Sequence, residues 1–185
     1  MFLEINNFLD NNFCNEIIQN CTPFLKKDDV DSGNREGSTV NITKTPELKN
    51  IDKILNNKFK DITLKKLIHT FNIDNKTALK DSNFEFHRYK KGDQLYTHGD
   101  GIHFPNEEIF NPRILSLVVN LTNNESADLI FPRYNKKIKT EKGKLTVFLP
   151  NSCYEHYMNN NSNKDRDVLV TWLIDISIHC SQVQR

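Results

Sequence analysis

No stretch of this 185-residue chain approaches the roughly 20 consecutive apolar residues that a bilayer-spanning helix needs. Neither sign of charge is in excess. The 25 Lys and Arg stand against 24 Asp and Glu, a net +1, so no global field recommends nucleic acid or a lipid surface as partner. Cysteine is scarce: Cys14, Cys21, Cys153 and Cys180 form no CxxC and no disulfide-framework spacing. That excludes a stapled secreted scaffold and points to ordinary thiols in a reducing compartment, with the cytoplasm as the expected location. Met1 to Asn6 lacks the basic start and apolar stretch of a secretory signal. There is no internal repeat, and the plentiful Asn, Lys and Ile build no long low-complexity tract. The length suits one domain with a substantial core and is too short for two full ones.

What is present falls into two regimes. In the first, about residues 1–80, helices are expected. Met1 to Phe8 reads as a short edge strand. Asp10 is placed to cap a helix over 12–21, where Phe13, Ile17, Ile18 and Cys21 make an apolar stripe that Pro23 closes. Pro46 opens one or two further helices between 46 and 72, with Leu48, Ile51, Leu55 and Phe59 at spacings of three and four. They are expected to cover a sheet rather than carry chemistry. Between them, residues 26–44 are polar and carry Gly33 and Gly37 without periodicity. This reads as a surface loop first and as a lid over an active site second.

From about 81 to 178 the pattern is that of strands. Phe84, Phe86 and Arg88 alternate with Glu85, His87 and Tyr89. Residues 114–121 are nearly all apolar, as in a strand covered on both faces. Leu129 to Phe131 reads as a short strand, 136–140 as a polar hairpin arm, 141–143 as a turn, and 145–149, 154–158 and 168–178 as further strands. Many short strands with turn signals between them predict an α+β, mainly β chain: a jelly roll with the N-terminal helices packed on one sheet.

One constellation in the second regime carries chemistry. His98 and Asp100 are two residues apart, so on an extended strand they share a face and can converge on one cation. His156 arrives from a later strand and can complete two-His-one-carboxylate ligation, which leaves open positions and is the set used by non-haem Fe(II) oxygenases. His87, His103 and His179 compete as ligands and rank below His156. Ten residues after His156, Arg166 opens a strand-like segment, where its guanidinium can hold a carboxylate bidentately beside the metal. Taken singly, each of these residues has a bland reading as a surface or core side chain; their order along the chain favours the site.

The same residues carry a resemblance. Tyr89, Gly92 three residues on, and then His98 and Asp100 are followed by the apolar strand 115–122. The turn Lys142-Gly143 leads to Phe148 and Pro150, then comes His156, and then Arg166 six residues before Trp172. This order resembles the prolyl 4-hydroxylase-like group of Fe(II)- and 2-oxoglutarate-dependent dioxygenases over nearly the whole chain, including the start at Phe8 to Asp10. The chain departs from the group at Ser126 to Leu129, where two glycines are usual. Ala127 and Asp128 restrict the backbone there, which bears on the pocket wall.

The resemblance implies a double-stranded β-helix and the following roles. Iron(II) would be bound by His98, Asp100 and His156. 2-Oxoglutarate would be held through its far carboxylate by Arg166, with the Tyr89 hydroxyl donating to the same group. Dioxygen would be the second cosubstrate and ascorbate an optional further cofactor. The cosubstrate would go to succinate and carbon dioxide as an unactivated C–H bond is hydroxylated. Trp172 reads as a core residue ahead of a pocket wall. The expected substrate is a prolyl residue in a peptide or protein. The alternatives are a free amino acid or other small molecule, a nucleic-acid base met by the basic hairpin 133–144, and a non-catalytic metal-binding jelly roll.

Overall fold

In the computed structural model, which describes residues 1–28, 34–74, 79–101 and 113–176, the chain builds two facing antiparallel sheets and one helical layer. The strands are β1 (Phe2–Ile5), β2 (Lys26–Lys27), β3 (Ser38–Asn41), β4 (Leu79–Asp81), β5 (Glu85–Tyr89) and β6 (Gln94–His98). They continue with β7 (Arg113–Asn120), β8 (Asn124–Phe131), β9 (Lys136–Thr140), β10 (Leu145–Phe148), β11 (His156–Asn159) and β12 (Arg166–Asp175). The larger sheet has the order β1-β10-β7-β12-β5-β3-β2, with β4 also pairing β12, and the smaller has β6-β11-β8-β9. This is the mainly β jelly roll with helical support that the sequence predicts.

The helices lie against one face of the larger sheet because each is apolar on one side. Helix α1 (Asn11–Cys21) starts where the Asp10 carboxylate accepts from the Phe13 amide at 2.9 Å. It buries Phe13, Cys14, Ile17 and Cys21. Pro46–Leu48 leads as a 3-10 turn into α2 (Lys49–Ile62), which buries Ile51, Leu55 and Phe59. A π turn over Thr63–Leu67 then passes into the short helical end at Ile68–Thr70. Inside that turn the Thr63 hydroxyl donates to the Phe59 carbonyl at 2.7 Å, the back-bonding that perturbs helical ladders.

Period-two alternation sorts the sheet residues. Phe86, Leu117, Val147 and Leu169 point to the helices, whereas Tyr89, Val118, Phe148 and Val168 join Leu129, Phe131 and Met158 between the sheets. Strand β7 is buried on both faces, as its continuous apolar run predicts.

The structure corrects two expectations. Residues 26–44 are not wholly a loop: β2 and β3 pair with each other, and Thr39 and Val40 lie opposite His87 and Phe86 of β5. The polar composition hid a strand whose Thr39 and Val40 are β-branched. The expected short strand at 129–131 also begins earlier, at Asn124, and its register shifts between Asn124 and Leu129. Ala127 and Asp128, expected to restrict a turn, therefore sit in a strand, and neither has a positive φ. Ala127 is fully buried, and the Asp128 carboxylate accepts from the Thr140 amide at 2.9 Å and pairs with Lys137 at 3.3 Å. No glycine is required there. It is required at Gly143, with φ +78° and an added Cβ only 2.2 Å from the Leu9 carbonyl oxygen. The described part of the last strand ends at Asp175; residues 177–178, also expected in it, lie outside the described residues.

Candidate metal and cosubstrate site

Residues of both sheets line a cavity of about 380 Å³, within the size range of small-molecule sites. His98 ends β6 directly opposite His156 at the start of β11, so the strand pairing itself brings the two imidazoles together, with ring centroids 4.4 Å apart. Asp100 follows in the bend after β6, with its carboxylate 3.4 Å from His98 Nε2 and its backbone carbonyl accepting from Arg113 at 2.8 Å. One ligand atom from each of His98, Asp100 and His156 lies within 4.8 Å of the others.

The tautomers suit a cation. Nδ1 of His98 lies 2.8 Å from the Tyr96 carbonyl, and Nδ1 of His156 lies 3.0 Å from the Tyr154 carbonyl. A carbonyl only accepts, so each Nδ1 carries the proton and each Nε2 lone pair is left for a metal. Burial pushes the His156 imidazolium down to about 4 and keeps the ring neutral near pH 7. Burial alone would raise the Asp100 carboxyl, but the neighbouring His98 and His156 rings hold it well below the usual range. Two imidazoles with Nε2 turned to the cluster and one carboxylate, with no fourth protein ligand among the described residues, fit a divalent metal that keeps open positions.

Deeper in the same cavity stand Arg166 and Tyr89, paired across β12 and β5. Arg166 is 2% exposed, and among the described residues no carboxylate pairs with it. Its Nε reaches only the Thr140 hydroxyl, at 3.5 Å, and its guanidinium carbon lies 5.7 Å from the Tyr89 ring centroid. Burial lowers its pKa to about 10, so it stays charged at neutral pH. Burial also raises the Tyr89 phenol to about 12, which keeps it protonated. The Tyr89 hydroxyl lies 3.5 Å from His87 Nδ1, and His87 Nε2 lies 3.0 Å from Glu85. At the mouth the Arg113 guanidinium stacks on the Trp172 ring, with its carbon 3.8 Å from the centroid. Trp172 thus lines the cavity, against the expectation of a core residue.

All five sequence-predicted residues, His98, Asp100, His156, Arg166 and Tyr89, line this one cavity. His87 lines it too, outside the three-ligand cluster, while His103 and His179 lie outside the described residues. Sequence reasoning missed Thr140, Arg113 and the Glu85–His87 pair as parts of the site. Only the last left a signal, since Glu85, His87 and Tyr89 alternate on one face of one strand. It also missed Asn160, which is fully buried. Its amide donates to the carbonyls of Tyr89 at 2.8 Å and Lys164 at 2.9 Å, and its side-chain oxygen accepts from Asn124 at 3.1 Å.

No protein-family model and no curated protein sequence gives a significant match. Solved structures do match. A viral collagen prolyl hydroxylase from Paramecium bursaria Chlorella virus-1, in complex with 2-oxoglutarate, superposes with a TM-score of 0.73 at 20% identity, over 95% of this chain and 96% of that one. A prolyl hydroxylase from Trichoplax adhaerens, in complex with a hypoxia-inducible-factor peptide fragment, gives 0.68 at 18% identity, over 100% and 87%. A Pseudomonas putida prolyl-4-hydroxylase gives 0.65 at 13% identity, over 94% and 92%. The chain therefore has the jelly-roll fold of the 2-oxoglutarate-dependent oxygenases.

Proposed function

We propose that the protein is an Fe(II)- and 2-oxoglutarate-dependent dioxygenase that hydroxylates a prolyl residue in a peptide or protein, acting as one domain over residues 1–185. The observation that carries the reading is the coexistence, in one cavity, of a three-ligand metal cluster and a buried arginine that makes no direct ion pair with a carboxylate of the described residues. A buried cation without a counter-ion is costly, so the cavity favours a dianionic ligand able to reach both.

His98, Asp100 and His156 would hold the iron, which supplies, with dioxygen, the oxidising power for cosubstrate decarboxylation and C–H hydroxylation. Arg166 would anchor the far carboxylate of 2-oxoglutarate, and the apolar walls around Val118, Leu129 and Val168 would exclude water from its middle. Arg113 and Trp172 at the mouth offer a flat, cationic surface suited to a peptide carbonyl and a prolyl ring. Similarity to prolyl hydroxylases, one of them in complex with a peptide, supports a peptide substrate over a free metabolite. In the basic hairpin, Lys136 and Lys144 pair with Glu4 and Lys137 with Asp128, which reduces the charge it offers a nucleic acid. No helix of the described residues is long and apolar enough to cross a membrane. Cys14, Cys21 and Cys153 are free thiols, which supports the cytoplasm.

The test is anaerobic loading with Fe(II) and 2-oxoglutarate, then exposure to oxygen with proline-rich peptides. Succinate formation that depends on both iron and peptide, with one oxygen atom gained at proline, is expected. Succinate without any peptide dependence, alongside coupled turnover of another ligand, would discard the prolyl substrate. Absence of 2-oxoglutarate binding would discard the oxygenase.

A further inference from the structure

Three polar side chains stand in file on the inner face of β5: Glu85, His87 and Tyr89, at positions i, i+2 and i+4. Tyr89 has a role in the reading above; Glu85 and His87 have none. Glu85 Oε2 lies 3.0 Å from His87 Nε2, and His87 Nδ1 lies 3.5 Å from the Tyr89 hydroxyl. His87 is 4% exposed, so the file is closed to bulk water at its centre.

The donor and acceptor roles along this file follow from Glu85. A carboxylate only accepts, so Nε2 of His87 carries the ring proton, and Nδ1 of the neutral ring is a lone pair. The only proton Tyr89 can offer it is its own O–H. In this arrangement the Tyr89 oxygen shows the cavity nothing but lone pairs, the wrong polarity for a carboxylate that has come to Arg166. If the hydroxyl turned to that carboxylate, buried Nδ1 would lose its donor, unless the ring gained a proton there.

We propose that Glu85 and His87 are positioning residues for Tyr89, and that 2-oxoglutarate binding draws one proton from solvent onto Nδ1 of His87. The Tyr89 O–H then donates to the far carboxylate, the new Nδ1–H donates to the Tyr89 oxygen, and Nε2–H stays on Glu85. Only the solvent proton changes owner, and the two negative charges of the ligand favour its arrival. The titratable and charged groups around His87 are Glu85 and Tyr89 on its own strand, Asp28 and Arg35 between β2 and β3, and Arg166 beyond Tyr89 on β12; Thr39 stands opposite it on β3. Glu85, Asp28 and the ligand favour the imidazolium, while Arg35 and Arg166 oppose it. Burial keeps the ring below its ordinary 6.5 in the free protein, so it is neutral at pH 7.5 before the ligand arrives.

The proposal rests on the cosubstrate assignment, and calorimetry separates the two. 2-Oxoglutarate is titrated into Mn(II)-loaded protein at pH 7.5, in buffers of different ionisation enthalpy, which counts protons without turnover. The wild type should take up close to one proton. His87→Phe should take up none and bind 2-oxoglutarate about tenfold more weakly, the scale of one lost hydrogen bond to a charged group, with unchanged Mn(II) affinity. His87→Gln, which can donate and accept but not titrate, should recover part of the affinity without the proton. Glu85→Gln should lower the proton count if His87→Phe fails to fold. Equal proton uptake in the wild type and the His87 variants, or unchanged affinity in all of them, would overturn the dyad and leave the oxygenase standing. No binding to the wild type would overturn the cosubstrate assignment itself.

Discussion

Arg166 is where residue-level physics and function meet most directly. A guanidinium at 2% exposure whose polar and ring contacts among the described residues are a hydroxyl at 3.5 Å and an aromatic face gains little from the fold it sits in. Removing it should therefore harm ligand binding far more than stability. Arg166→Ala is expected to weaken 2-oxoglutarate binding by about 2 kcal/mol or more, roughly thirtyfold, because the ligand carboxylate would enter a buried site unpaired. Arg166→Lys should recover part of this, keeping the charge but losing the fork. Calorimetry on Mn(II)-loaded protein gives both numbers. His98→Ala, Asp100→Ala and His156→Ala should instead abolish divalent-metal binding and leave the melting temperature of the metal-free protein within a few degrees. Full metal affinity in His156→Ala would dissolve the three-ligand cluster.

At the scale of elements, two polar joints hold strands of the two sheets in place. Asn160 ties the turn after β11 to Tyr89 on β5 and to Asn124 on β8. Asn160→Ala would leave several of those groups buried and unsatisfied, so a loss of about 3 kcal/mol is expected, read as a lower urea midpoint with unchanged slope. Edge strand β1 is clamped by Glu4, which pairs with Lys136 at 2.8 Å and with the nearly buried Lys144 at 3.3 Å. Burial acts to raise the Glu4 carboxyl, yet the two lysines together hold it below its ordinary 4.5. A carboxylate depressed in the folded state adds stability that is fully present above pH 4.5 and is lost as pH falls through the folded value. Glu4→Gln should thus cost about 1 kcal/mol near neutral pH, with the difference from wild type shrinking below pH 4.5. Melting curves from pH 3 to pH 7, a span of about four units around that value, are the check; a difference independent of pH would remove the ion pairs from the account.

For the whole molecule, the decisive feature is that the segment leading into β3 is bonded to β6, which stitches the two sheets together beside the cavity. The Glu36 amide donates to the Gln94 carbonyl at 2.7 Å, the Tyr96 amide donates to the Asn34 carbonyl at 2.7 Å, and Arg35 pairs with Asp28 at 3.1 Å. Residues 34–37 therefore form a bonded strap, of which Asn34 and Arg35 line the cavity. At Gly37 an added Cβ would meet the Arg88 carbonyl oxygen at 2.9 Å, so the strap lies flat on β5. Because Arg35 lines the cavity from this strap, Arg35→Ala is expected to raise the KM for peptide about tenfold, the worth of one charged hydrogen bond. The affinity for 2-oxoglutarate should move much less. A rise confined to 2-oxoglutarate would place Arg35 with the cosubstrate instead.

Local pattern sufficed for much of this protein. The stripe behind Asp10, the double-sided burial of β7, the turn at Gly143 and the alternation along β5 are all written in spacings of two to four residues, because helical and pleated geometry act at that range. The ordered set Tyr89, His98, Asp100, His156 and Arg166 was legible for a different reason. Each has chemistry that is hard to replace, so type and order alone narrowed the reading. The strand at 38–41 was not legible, since its neighbour in the sheet, β5, is more than forty residues away in number and its composition is polar. Nor could spacing reveal that Ala127 and Asp128 sit in a strand with ordinary φ, that Arg113 lies on Trp172, or that Asn160 ties Tyr89 to Asn124. Those facts belong to pairings across β6, β8, β11 and β12, and a strand's partner is chosen by the burial and hydrogen bonding of the assembled sheets rather than by its own residues.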